Sequence, residues 1–353
     1  MYTALDHKEI PIHSTQIEWC AMRRLVVYLI GLLPVVLMSM LMSPAQAQTV
    51  VRIDPALDKI VPRNAQVEKV GAGLERSEGP LWVRDGGYLL FSDLNSIKQW
   101  TPGRGVSVYH DRTFSGPTPE GTRVGTNGLT FDLEGRLIAC EHGDRRIVRW
   151  EKNGSVIVLA DRFQNKRFNS PNDLVRKRNG DVYFTDPPYF DDLKLLDPNK
   201  LFQRDMDYSG VYRVTTAGKV ELLIKDLAFP NGLAFSPDGK KLYVANSRPK
   251  KFWMAYKVKA DGTLANGKEL LDGTTLAGEG VPDGMKVDTV GNLYATGPGG
   301  VLVISPQGRH LGTIQIPEIA ANCAWGDADG KTLYVTARTG LYRIRLNVAG
   351  IRP

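Results

Sequence analysis

Six residues with oxygen-bearing side chains recur along this chain: Glu78, Asn127, Asn172, Asn231, Asp283 and Asn322. They recur at intervals of roughly 40 to 60 residues, the period of a repeat architecture. Each directly precedes a short apolar run. One or two Asn or Asp residues before a strand are ordinary turn chemistry, but six of six are not. Carboxylate and amide oxygens, with no Cys or His at these positions, suit a hard divalent cation. Ca²⁺ is the first expectation, with Zn²⁺, Mg²⁺ and Mn²⁺ as alternatives. Glu78 and Asp283 would balance a 2+ charge and Asn carbonyls would complete the shell.

Such convergence needs elements that bring the six positions to one place. The segments Gly79–Asp93, Gly128–Glu141, Asp173–Asp186, Gly232–Asn246, Gly284–Gly297 and Cys323–Ala337 share one pattern. Each has an alternating run, a polar turn ending in Gly, and a second run rich in Tyr, Leu, Val or Phe, which is a β-hairpin signal. A further hairpin-like pair follows most of them, as in Ile147–Trp150 with Val156–Leu159. Four strands per repeat and six repeats predict an all-β fold, a six-bladed β-propeller. Its innermost strands run the same way along the axis, so the six positions would meet at one mouth of the channel. Residues 48–353 supply six units of roughly 50 residues, with no second domain. The competing solenoid lacks anything like polar terminal caps. Ring closure is expected from Gln66–Val70, as the outer strand of the blade formed by Cys323–Leu346. Residues 113–126 and 191–208 read as loops over one face.

The ends of the second hairpin strands return to the same mouth and carry Asp93, Glu141 with His142, Asp186 and Asn246. These are candidate neighbours of the ring. Asp93 and Asp186 are expected to orient loops and ligands rather than to react.

Composition narrows the function. Among 353 residues there are 45 Lys and Arg, 38 Asp and Glu, and a net charge of +7. The basic residues are scattered, so the charge reads as solvated surface and no nucleic-acid partner is expected. With 36 Gly and 21 Pro, long helices are not expected. No G-x-S-x-G occurs and no strand–helix alternation is present, which argues against a Ser-His-Asp hydrolase and a dinucleotide-binding dehydrogenase.

Arg23-Arg24, the apolar run Leu25–Met42 and Ala45-Gln46-Ala47 have the order of a secretory leader. Residues 1–47 are therefore expected to be a leader, with cleavage before Gln48 and Met22 as an alternative start. The run is also about long enough for an uncleaved anchor. The expected location is periplasmic or secreted, with no stable membrane association after cleavage. Of the three cysteines, Cys140 and Cys323 would remain, and an oxidising compartment permits a bridge between them.

Ser77-Glu78-Gly79-Pro80, Ser170-Pro171-Asn172-Asp173, Pro230-Asn231-Gly232-Leu233 and Pro282-Asp283-Gly284 resemble the ordered motifs of the gluconolactonase/regucalcin family. Glu141-His142-Gly143 and Thr185-Asp186-Pro187-Pro188-Tyr189 resemble its bacterial lactonase branch. The resemblance runs from about Glu78 to Arg345. It implies a six-bladed propeller, a divalent cation in the channel and hydrolysis of small sugar lactones. It puts metal ligands at Glu78, Asn231 and Asp283, with Asn172 as a ligand or a substrate contact. On this reading Asp283 is also the expected general base, and Asn127, His142 and Asn322 are expected to hold substrate hydroxyls. Related phosphotriesterases share the fold, so a phosphotriester or aryl ester is the alternative substrate. A non-enzymatic calcium-binding scaffold is the alternative class.

Overall fold

The computed structural model describes residues 49–118, 120–189 and 203–351. The expected leader and most of the loop 191–208 lie outside the described residues.

Strand β1 (Val50–Arg52) and β2 (Glu68–Gly71) flank a 3₁₀ turn at Pro55–Lys59, where the Asp54 side chain accepts from the Ala56 N–H at 2.8 Å. Six sheets follow, each built from its inner strand outward. The first holds β3–β6 (Ser77–Val83, Tyr88–Asp93, Ser96–Thr101, Gly105–His110) and the second β7–β10 (Thr126–Phe131, Leu137–Glu141, Arg146–Trp150, Val156–Ala160). After a small hairpin, β11–β12 (Arg162–Phe163, Lys166–Arg167), the third holds β13–β16 (Leu174–Arg176, Val182–Asp186, Gly210–Val214, Val220–Ile224). The fourth holds β17–β20 (Pro230–Phe235, Lys241–Asn246, Phe252–Val258, Leu264–Asp272). The fifth holds β21–β24 (Met285–Val287, Leu293–Gly297, Gly300–Ile304, His310–Gln315) and the sixth β25–β27 (Ala320–Gly326, Thr332–Ala337, Gly340–Arg345).

The ring is visible in the core. Buried apolar clusters lie between every pair of adjacent blades. Leu81, Leu90, Leu129 and Val148 join the first two, and Cys140, Phe168, Phe184 and Tyr212 join the next two. The last joint, Leu89, Phe91, Ala324, Tyr334 and Leu341, connects the sixth blade back to the first. Six blades therefore close on themselves, as the repeat pattern predicts. Strand β2 completes the sixth blade, pairing Glu68 with Arg343 and Lys69 with Tyr342, so the closing strand comes from the expected region but spans Glu68–Gly71 rather than Gln66–Val70. Strand β1 adds something the repeats do not announce. It is a fifth strand on the fifth blade, with Val51 opposite Thr313.

The inner hairpins turn on glycines in the left-handed region, such as Gly135 at φ 75° and Gly239 at φ 67°. An L side chain there would be strained, which explains the Gly that ends each polar turn. Cys140 and Cys323 are both free and buried, in different inter-blade cores. The bridge that an oxidising compartment would permit is not formed.

Candidate functional site

All six ring positions lie within two residues of the start of an inner strand. Five of them, Glu78, Asn127, Asn172, Asn231 and Asp283, line one cavity of about 150 Å³ at one mouth of the channel. The inner strands converge closely because Gly follows four of the six. A Cβ on Gly79 would sit 1.9 Å from the Asn127 carbonyl oxygen, and one on Gly232 would sit 2.2 Å from that of Asp283.

Glu78 is buried. Its Oε2 accepts from its own neighbour, the Gly79 N–H, at 2.7 Å and from Asn322 Nδ2 at 3.0 Å. Asp283 is half-buried. Its carboxyl is pushed well above the ordinary carboxylate range, first by lost hydration and next by the Glu78 charge. Two like charges lining one cavity repel each other unless a cation lies between them.

Asn231 shows which way its amide points. Nδ2 donates to Ser247 Oγ at 2.9 Å, and that hydroxyl donates onward to the Pro282 carbonyl at 2.6 Å. Oδ1 is buried and has no hydrogen-bond partner among the described residues. An orphaned carbonyl oxygen beside two mutually repelling carboxylates is the arrangement a hard cation satisfies. The donor set fits such an ion. It is a mixed set, because no three His, Cys, Asp or Glu side chains form a metal-holding group among the described residues.

Asn127 differs from Asn231. Its Oδ1 accepts from Arg123 Nη1 at 3.1 Å and its Nδ2 lies 3.1 Å from His142 Nε2. Both ends of the amide are engaged, so its orientation is fixed. Of the three side chains expected to meet substrate hydroxyls, only Asn127 reaches the cavity. His142 is fully buried behind it, against the Tyr189 ring at 5.0 Å. Asn322 lies beneath the ring, donating to Glu78 and, at 3.4 Å, to Asp173 Oδ2. Each holds a ring residue or its support in place rather than facing the cavity.

The strand-end residues hold loops. Asp93 Oδ1 accepts from the N–H groups of Glu75 and Arg76 at 3.1 and 2.8 Å. Asp186 accepts from those of Asn169 and Ser170, both at 2.8 Å, and Asn246 Oδ1 from that of Phe229 at 2.9 Å. Each side chain thus fixes the loop that delivers the ring residue of its own blade. Glu141 points away, to Arg146 at 2.6 Å.

Two site residues escape the repeat pattern. Arg123 lines the cavity, lies 4.0 Å from Glu78 Oε1 and also donates to the Arg76 carbonyl. Asp173 stands where four other repeats have Gly, and its buried carboxyl is raised by lost hydration, against the pull of Lys286. The Gly-to-Asp exchange in the third repeat was its available signal. Arg123 sits in a loop with no signal beyond proximity to Asn127.

The chain resembles known proteins over nearly all of this architecture. The model of the SMP-30/gluconolactonase/LRE-like region matches residues 76–339. A gluconolactonase of Zymomonas mobilis is 37% identical over 320 residues, covering 85% of this chain and 87% of that protein. The structure of a Xanthomonas campestris gluconolactonase aligns at a TM-score of 0.73 with 31% identity, covering 86% of this chain and 96% of that one. A calcium-binding regucalcin of Agrobacterium tumefaciens shares the fold, at a TM-score of 0.63 and 18% identity over 79% of this chain and 93% of that one. With a family match that includes every ring position, the chain belongs to the SMP-30/gluconolactonase/LRE-like family.

Proposed function

We propose that this protein hydrolyses sugar lactones with one divalent cation, Ca²⁺ most readily, held by Glu78, Asn172, Asn231 and Asp283. The observation that carries the proposal is the Glu78–Asp283 carboxylate pair beside the orphaned Asn231 oxygen, in one cavity of a chain 37% identical to a gluconolactonase. When bound, the cation supplies Lewis-acid stabilisation of charge on the lactone carbonyl oxygen.

The chain's own residues do the rest. Asn127 and Arg123 present a fixed amide and guanidinium to the substrate, so its orientation costs no reorganisation. Asp283 accepts the proton of the attacking water, and the Gly79 and Asn322 donors hold the Glu78 side chain in place. His142 and Asn322 are positioning residues for Asn127 and Glu78. The succession of Arg23-Arg24, the apolar run Leu25–Met42 and Ala45-Gln46-Ala47 in the sequence supports export and cleavage after Ala47.

The test is hydrolysis of glucono-1,5-lactone after chelation and after Ca²⁺ is restored, beside direct Ca²⁺ binding by calorimetry. Loss and recovery of turnover with one bound ion is the expected result. Full turnover in thoroughly chelated protein would refute the metal reading.

A further inference from the structure

The other ends of the same inner strands enclose a second cavity, of about 220 Å³. Its walls are largely apolar and include Trp82, Leu129, Leu174, Phe235, Val287 and Trp325. Both tryptophans are held in place from behind. Trp82 stacks on Tyr334 at 5.2 Å and Trp325 meets the Tyr294 ring edge-on at 4.7 Å. Their indole N–H groups are buried without partners among the described residues. The charges around this cavity are lopsided. Among its described lining residues, Arg176, Lys177, Arg178 and Lys286 stand against Asp238 alone.

Lys286 is the informative member. It is half-buried on the fifth inner strand. Its ammonium donates to the Met285 carbonyl at 3.1 Å and weakly to Asn322 Oδ1 at 3.4 Å. It forms no ion pair within 4.0 Å among the described residues. An ammonium has three donors, and holding one inside a channel is costly unless it meets an acceptor of opposite charge. Asp173 supplies part of that compensation from above. The cavity side has apolar walls and cationic neighbours.

We propose that this lower mouth is a second binding site, for a small amphipathic carboxylate. Its apolar body lies against Trp82 and Trp325, and its carboxylate meets Lys286. A sugar lactone or sugar acid does not suit these walls, because its hydroxyls would find few partners there. The ligand class therefore differs from that of the upper cavity. Lys286 also touches Asn322, which holds Glu78, so an anion drawn to Lys286 connects physically with the upper site.

Octanoate is the probe, with octanol as its neutral counterpart and the full chain as the protein. Octanoate is expected to change tryptophan fluorescence saturably, to bind at least tenfold more tightly than octanol, and to stay bound in excess gluconate. Lys286→Met should weaken octanoate at least tenfold while leaving octanol nearly unchanged. Val175→Phe fills the cavity from its wall and should weaken both, which keeps the test decisive if the Lys286 variant does not fold. No saturable binding, displacement by gluconate, or unchanged affinity in the folded variants would overturn the proposal.

Discussion

The Asn127 amide nitrogen lies 3.1 Å from Nε2 of a fully buried His142. An amide N–H₂ only donates, so Nε2 must accept and the ring must be neutral. Burial, and then the Arg123 charge, hold the imidazole down to about 3.

This predicts an acid-sensitive fold. A histidine whose folded pKa lies below its unfolded value binds its proton first in the unfolded chain. Its contribution is present above about pH 6.5 and is lost as pH falls toward 3. The slope should approach about 1.4 kcal/mol per pH unit between roughly pH 6 and 4. Urea denaturation across this range should show that slope reduced by one proton in His142→Gln. An identical slope in the variant would show that His142 titrates normally.

Asp283 is both ligand and base in the proposed reaction, and two variants separate the roles. Asp283→Ala should weaken Ca²⁺ strongly and abolish turnover while the propeller stays folded, because blade packing buries the apolar strands. Asp283→Asn keeps one oxygen. At saturating Ca²⁺ it should recover binding but remain about 10²-fold or more slower. Recovery of the full rate by excess Ca²⁺ would leave Asp283 as a ligand only.

Gly79 is where close approach matters most. Its φ is 50° and an added Cβ would meet the Asn127 carbonyl oxygen at 1.9 Å. Gly79→Ala should cost about 2–5 kcal/mol from overpacking and left-handed strain together. Equilibrium unfolding measures this. A change within experimental error would mean that the first two blades can separate freely.

The two buried thiols should stay reduced and silent. Burial pushes Cys323 up to about 12 and Cys140 well above its usual value. Neither should react with a thiol reagent until the protein unfolds. Intact mass should be the same with and without reductant, and a mass lower by two hydrogens would reveal a bridge.

The propeller was legible because its hairpins repeat, and alternation plus a terminal Gly leaves little choice of element. The ring residues were legible for the same reason: one position in a repeat maps to one place around an axis. What repetition does not mark was harder to read. Strand β1 is three residues long and has no counterpart in another blade. Arg123 acts from a loop. Asn322 occupies a ring position by register, yet its side chain turns under the ring because Glu78 and Asp173 both accept from it there. Register specifies where a Cα sits, while hydrogen-bonding demand decides where an amide goes.

The pairing of β1 and β2 with the last two blades gives the molecule a direction in time. Residues made first are needed last: Glu68 waits for Arg343, and the Ser77 hydroxyl for the Arg338 carbonyl, 275 and 261 positions later. A chain emerging from a ribosome or threading a pore can assemble its middle blades, but it cannot close the circle until its final strands arrive. Until then the edges of the first and sixth blades stay open. Loop-closure entropy makes this joining step slow. Cutting the chain short by its last two strands should therefore leave an open arc prone to self-association rather than a slightly smaller enzyme.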